Sequence, residues 1–123
     1  MDAPLGRAVG NALEVAECLH VLRGAGPPDL VSLVETLGTR VLELAGKASS
    51  ADDGREQIRT ALQTGAALSK MRAMVVAQGG DPSVVDDAAR LPRARQTVVV
   101  TAAQDGPWEL DAELVGRAAM RLG

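Results

Sequence analysis

Residues 28–46 read PDLVSLVETLGTRVLELAG. Leu30, Leu33, Val34, Leu37, Val41, Leu44 and Ala45 recur at i, i+3, i+4 and i+7, the period of an amphipathic helix. Pro28 suits the first turn, where a missing N–H leaves nothing unsatisfied. Asp29 sets negative charge against the positive end of the helix dipole. Gly46 follows where a left-handed residue commonly closes a helix. Gly38 inside the segment costs about 1 kcal/mol relative to alanine. It marks either the close approach of a neighbouring helix or simple tolerance.

Upstream, Gly6 and Gly10 with Pro4 break any early helix. From Ala12 the pattern turns helical through Val15, Ala16, Leu19 and Leu22, and the run from Gly24 to Pro28 ends it. Asn11 is placed to cap that helix. Downstream, Ser49–Gly54 is a polar loop with Asp52 or Asp53 as the expected cap of a third helix through Ile58, Ala61 and Leu62. Thr64–Gly65 breaks it, and Ala66, Leu68, Met71, Met74 and Val75 form a fourth. Gly79–Gly80 closes that one. Asp81–Pro82 opens a short helix whose Asp86, Asp87 and Arg90 read as a solvated face.

After Leu91–Pro92 the character changes. Residues 96–101, QTVVVT, are β-branched and read as a strand. Asp105–Gly106–Pro107 is a turn, and Trp108–Leu110 is the expected start of a second short strand. Residues 112–122 return to helix. The expected fold is therefore mostly α, four to five helices followed by the opening of a β-containing unit. A hairpin alone is marginal in water. The sequence thus reads as a piece of a longer protein.

The 123 residues weigh 12.7 kDa, enough for one modest core. Thirteen basic against sixteen acidic side chains leave a net charge of −3, with a pI near 5.1. That balance argues against a nucleic-acid binder, whose footprint is usually a basic face, and Arg93 with Arg95 is too little to make one. Trp108 is the only aromatic residue, so the core has to be built from Leu, Val, Ala and Met. No apolar run reaches the roughly 20 residues of a membrane span, and the start lacks the basic and apolar regions of a signal peptide. The cytoplasm is the expected location. The one cysteine, Cys18, excludes an internal disulfide and is expected as a small buried hydrophobe.

Chemistry is sparse. The one histidine, His20, has no companion at metal-ligand spacing. Ser32, Ser49, Ser50, Ser69 and Ser83 have no histidine near them in sequence. Glu14 and Glu17, three apart, could hold a cation or work as an acid–base pair, or simply be two solvated carboxylates. Residues 6–10, GRAVG, precede a helix N-terminus and invite an anion, although the spacing fits no standard phosphate fingerprint.

Residues 4–15, PLGRAVGNALEV, resemble the PLGxxVGNALEV segment of thymidine and pyrimidine-nucleoside phosphorylases. The likeness continues at Leu22–Gly24, Gly26–Leu30, Met74–Pro82, Leu91–Ala94 and Val115–Ala119. It implies an enzyme that cleaves a pyrimidine nucleoside with phosphate as co-substrate, giving free base and pentose 1-phosphate. It also implies a homodimer with no required cofactor, in which residues 1–92 are the later part of an α/β domain. Residues 93–123 would begin a C-terminal α+β domain, and Met1 would match an internal methionine. The phosphate-binding and base-binding residues of such enzymes lie upstream, so the resemblance carries over no catalytic or substrate-binding residue. What it does carry over is a potassium site, with backbone carbonyls from Leu5 and Ala8 and the carboxylate of Glu17. The alternative expectation is a stand-alone, non-catalytic helical interaction module derived from such an enzyme.

Overall fold

A computed structural model describes residues 5–107 and 109–122. The described residues form six α-helices: α1 (Asn11–Leu22), α2 (Pro28–Leu44), α3 (Ala51–Gln63), α4 (Ala66–Ala77), α5 (Ser83–Asp86) and α6 (Ala112–Leu122), with a 3-10 turn at Ala88–Arg90. The mostly-α expectation holds, and the breaks fall at the glycines that the sequence marks. Gly65 adopts φ 76°, a left-handed conformation open to glycine, and so separates α3 from α4 without a longer loop.

α2 and α3 form an antiparallel pair. Gly38 lies against Ile58, Thr39 against Gly54, and the Arg59 guanidinium grips the Glu35 carboxylate with two bonds of 2.9 and 3.0 Å. A Cβ on Gly38 would sit 2.8 Å from Ile58 Cδ1, and one on Gly54 would sit 3.0 Å from Thr39 Cγ2. Of the two readings of Gly38, close helix approach is the one realised.

The packing face of α2 differs from the expected one. Val34, Leu37, Val41 and Leu44 on the apolar stripe are exposed, at 36, 58, 64 and 87%. The neighbouring face, with Glu35, Gly38 and Thr39, meets α3 instead, because small residues let two helix backbones come close. The buried hydrophobic centre lies elsewhere. Leu19 and Val21 of α1 and Val85 of α5 are its buried side chains, and α4 contacts both of those helices. Arg23 fixes that junction by donating to the carbonyls of Val85 and Asp86, and Arg72 of α4 pairs with the Asp86 carboxylate. Asp86, Asp87 and Arg90 remain exposed, as expected of a solvated face, with Asp86 paired to Arg72 at its edge.

Three caps differ from expectation. Gly10, not Asn11, stands at the N-cap of α1: its carbonyl takes the first helical bonds, and Asn11 is already inside the helix. Ser50 caps α3 in place of Asp52 or Asp53. Its hydroxyl accepts from Asp53 N–H at 3.2 Å, while the Asp53 carboxylate reaches back to Ser49 N–H at 2.7 Å. At α5 the N-cap position falls on Pro82 rather than on Asp81, which stands one residue earlier and accepts from the N–H and hydroxyl of Ser83 at 2.9 and 2.6 Å.

The strand at residues 96–101 does not form. The segment carries no regular secondary structure and no backbone–backbone bond among the described residues, since β propensity becomes structure only against a neighbouring strand. Glu109 and Leu110 are not in a strand either, and Trp108 lies outside the described residues. α6 follows, with Ala119 close to Gly10.

Candidate functional site

The loop before α1 folds onto one side chain of that helix. Glu17 stands on the second turn of α1, and its Oε1 accepts from Arg7 N–H at 2.9 Å while Oε2 accepts from Ala8 N–H at 3.3 Å. Backbone amides ahead of a helix attract an anion, and here the anion comes from within the chain. Gly6 makes this possible. Its φ of 68° is left-handed, and a Cβ there would overlap the Glu17 carboxylate.

The structure therefore brings Gly6, Arg7 and Ala8 against Glu17. No cis peptide occurs among the described residues, so the units donating from Arg7 and Ala8 turn the carbonyls of Gly6 and Arg7 away from Glu17. The carbonyls of Leu5 and Ala8 belong to the two flanking units. The Glu17 carboxylate keeps lone pairs beyond those two bonds, and carboxylate oxygens are ligands of the kind a monovalent cation accepts. Among the described residues no group of three or more His, Cys, Asp or Glu could hold a metal ion. Glu14 is exposed in the first turn of α1.

Beside the loop lies an open cleft of about 550 Å³, walled by Arg7, Leu13, Ala16, His20 and Pro28. His20 is exposed on its rim beside Glu17, and no serine, threonine or cysteine stands among the residues lining the cleft. Cys18 is also exposed, contrary to the buried role expected of it. It falls on the outward side of α1, next to Leu19, which is fully buried. Three of the serines serve helix ends: Ser49 and Ser50 at α3, Ser83 at α5.

Electrostatics outside this region is structural too. The Arg59 hydrogen bonds hold the Glu35 carboxyl below the usual carboxylate range. Asp53 is lowered by the amide of Gln57 first and then by Ser49. Asp86 is lowered chiefly by its hydrogen bond from Arg72. The sequence gives no signal for Arg23, which acts 62 residues away along the chain. Nor does it signal that the loop amides close on Glu17.

The geometry thus defines a class first: a helical scaffold with a self-capped loop and, among its described residues, no assembled catalytic cluster. No protein-family model matches the chain. It is nevertheless 45% identical over its full length to the pyrimidine-nucleoside phosphorylase of Geobacillus stearothermophilus. It is 44% identical to the one from Bacillus subtilis (strain 168), and 43% to the one from Staphylococcus aureus (strain NCTC 8325 / PS 47). The resemblance first visible at PLGRAVGNALEV extends over the whole chain. The chain spans 29% of the length of each of these relatives.

Proposed function

We propose that this chain is a scaffold segment of a pyrimidine-nucleoside phosphorylase. That enzyme would transfer a pentosyl group from a pyrimidine nucleoside to phosphate, releasing the free base and a pentose 1-phosphate. The observation that carries the reading is 45% identity sustained over the entire chain to an enzyme so named. The groups that bind phosphate and base and stabilise transition-state charge would lie in the rest of the enzyme. Residues 1–92 would complete its α/β domain, residues 93–123 would open its C-terminal domain, and the enzyme would be a cytoplasmic homodimer. No described helix is long and apolar enough to cross a membrane.

Within that enzyme Leu5, Ala8 and Glu17 would hold a potassium ion, which would supply positive charge that ties the loop to α1. What supports this is the carboxylate of Glu17 already closed over by the loop. Potassium chloride is expected to raise the melting temperature of the full enzyme above its value in equal sodium chloride, and Glu17→Gln to erase that difference. The same rise in both salts would remove the ion from this site.

The function itself is tested in two steps. The intact mass of the endogenous product carrying the peptide of Asn11–Arg23 should be several times 12.7 kDa. Purified 123-residue chain with thymidine and phosphate should release no thymine, whereas the full-length product should. A native mass of 12.7 kDa would favour the stand-alone module instead. Thymine release by the short chain would show that the active site is inside it.

A further inference from the structure

Two aspartates of this chain are followed directly by glycine, at Asp53–Gly54 and Asp105–Gly106. Such a pair carries a latent reaction. The side-chain carboxyl can close a five-membered ring on the next backbone nitrogen, and glycine has no Cβ to hinder the approach. The fold treats the two pairs differently. Asp53 stands in the first turn of α3, where its Oδ2 accepts from the N–H and hydroxyl of Ser49 at 2.7 and 2.8 Å. Its Oδ1 accepts from the Gln57 amide at 2.9 Å. The N–H of Gly54 is engaged as well, donating to the Ser50 carbonyl at 3.0 Å, and Gly54 is buried against Thr39 and Ala48. Both reacting groups are thus tied down where α3 packs on α2. Asp105 and Gly106 are exposed, lie outside every described helix and make no hydrogen bond among the described residues. The space beside Gly106 is open.

We propose that Asp105 is a site of spontaneous backbone isomerisation in this chain, and that the fold of α3 protects Asp53 from the same reaction. The Gly106 nitrogen bonds to Cγ of Asp105, and the amide proton leaves with the carboxyl hydroxyl as water. The product is a cyclic succinimide. Water then opens the ring at one of its two carbonyls. Opening at Cγ restores aspartate. Opening at the main-chain carbonyl leaves the chain running through Cβ and Cγ as isoaspartate. Water is lost once and regained once, so no other reactant is needed. Isoaspartate adds one carbon to the backbone ahead of α6 and sets a carboxylate directly on Cα. Asp111, on the same stretch, is a poor competitor. Its carboxylate accepts from Leu114 N–H at 3.0 Å, and alanine follows it.

The test ages the whole folded chain in warm neutral buffer and then digests it with trypsin, which releases residues 48–55 and 96–117 as separate peptides. Isoaspartate leaves the mass unchanged but shifts chromatographic retention, so the 96–117 peptide should split into two peaks of equal mass. The 48–55 peptide should convert more slowly by roughly tenfold or more, because its reaction waits for local opening of α3. In denaturing urea both peptides should split at similar rates. Asp105→Glu should remove the second 96–117 peak, with the helical circular dichroism unchanged. A 96–117 peptide that stays single in the folded chain overturns the proposal. So does splitting that survives Asp105→Glu, which would move the reaction to Asp111. Equal splitting of both peptides in the folded chain, or a 48–55 peptide that stays single even in urea, overturns protection by the fold.

Discussion

The Glu17 carboxylate substitutes for a bound anion, satisfying the N–H groups of Arg7 and Ala8 while Gly6 gives it room. Glu17→Ala leaves both amides unpartnered and should cost about 1–3 kcal/mol in urea unfolding. Gly6→Ala should cost a similar amount, from a left-handed φ and a Cβ that overlaps the carboxylate. If either variant unfolds at the parent urea midpoint, the loop is not held by Glu17. Thr39 presents the opposite case. It is 4% exposed, and its hydroxyl has no partner between α2 and α3. A buried hydroxyl without a bond forfeits its hydration, so Thr39→Val should raise stability by about 1 kcal/mol. A lower urea midpoint would instead mean that the hydroxyl is satisfied.

At the scale of elements, the start of α3 depends on ionised Asp53. Its carboxylate accepts from Ser49 and Gln57, and the Ser50 hydroxyl caps its N–H. Asp53 and Glu35 both titrate below their ordinary values in the folded chain. Their contribution is therefore complete above the unfolded pKa near 4 and is lost as pH falls through the depressed values. Thermal melts across that acid range should show the melting temperature falling, and Asp53→Asn should flatten the fall. An unchanged slope would exclude Asp53 as its source. Ser50→Ala should cost about 1 kcal/mol at any pH. The helices and their breaks were legible because Pro28, Gly46, Gly65 and Gly79 punctuate clear apolar periods. Which side of α2 would be buried was not legible. Its partner face is built from Gly38, Thr39 and Glu35, which carry no hydrophobic signal, whereas the stripe that does carry one faces solvent. Residues 96–101 failed as a strand for a related reason: ladder bonds are a property of pairs of segments, and one sequence displays only one member. At the site, Glu17 was legible as a residue of interest, but its closure by loop amides depends on a turn at Gly6 that no periodicity reveals.

For the whole molecule the decisive quantity is surface. The chain exposes 9483 Å², whereas a compact monomer of its mass exposes roughly 6,200 Å². About half as much surface again is open to water, and Leu19, Val21 and Val85 are the buried hydrophobic side chains among the described residues. The excess is not spread at random. It includes Val34, Leu37, Val41 and Leu44 on one line of α2, together with Leu114, Met120 and Leu122 of α6. Lines of this kind normally face other structure. A scaffold segment of a longer enzyme and a free-standing module make opposite demands on the α2 stripe. Leu37→Lys with Leu44→Lys should change the stability of the isolated chain by no more than about 0.5 kcal/mol, because both side chains are already in water. Lysines at the two matching positions of the Geobacillus stearothermophilus phosphorylase should cost about 2–5 kcal/mol, because each would there be forced against apolar structure. Parallel thermal melts of the two proteins decide it. A large loss in the long enzyme with none in the short chain makes the stripe an internal packing surface. Equal indifference in both would show that α2 keeps that face in solvent in the complete enzyme, and the scaffold reading of this helix would fall.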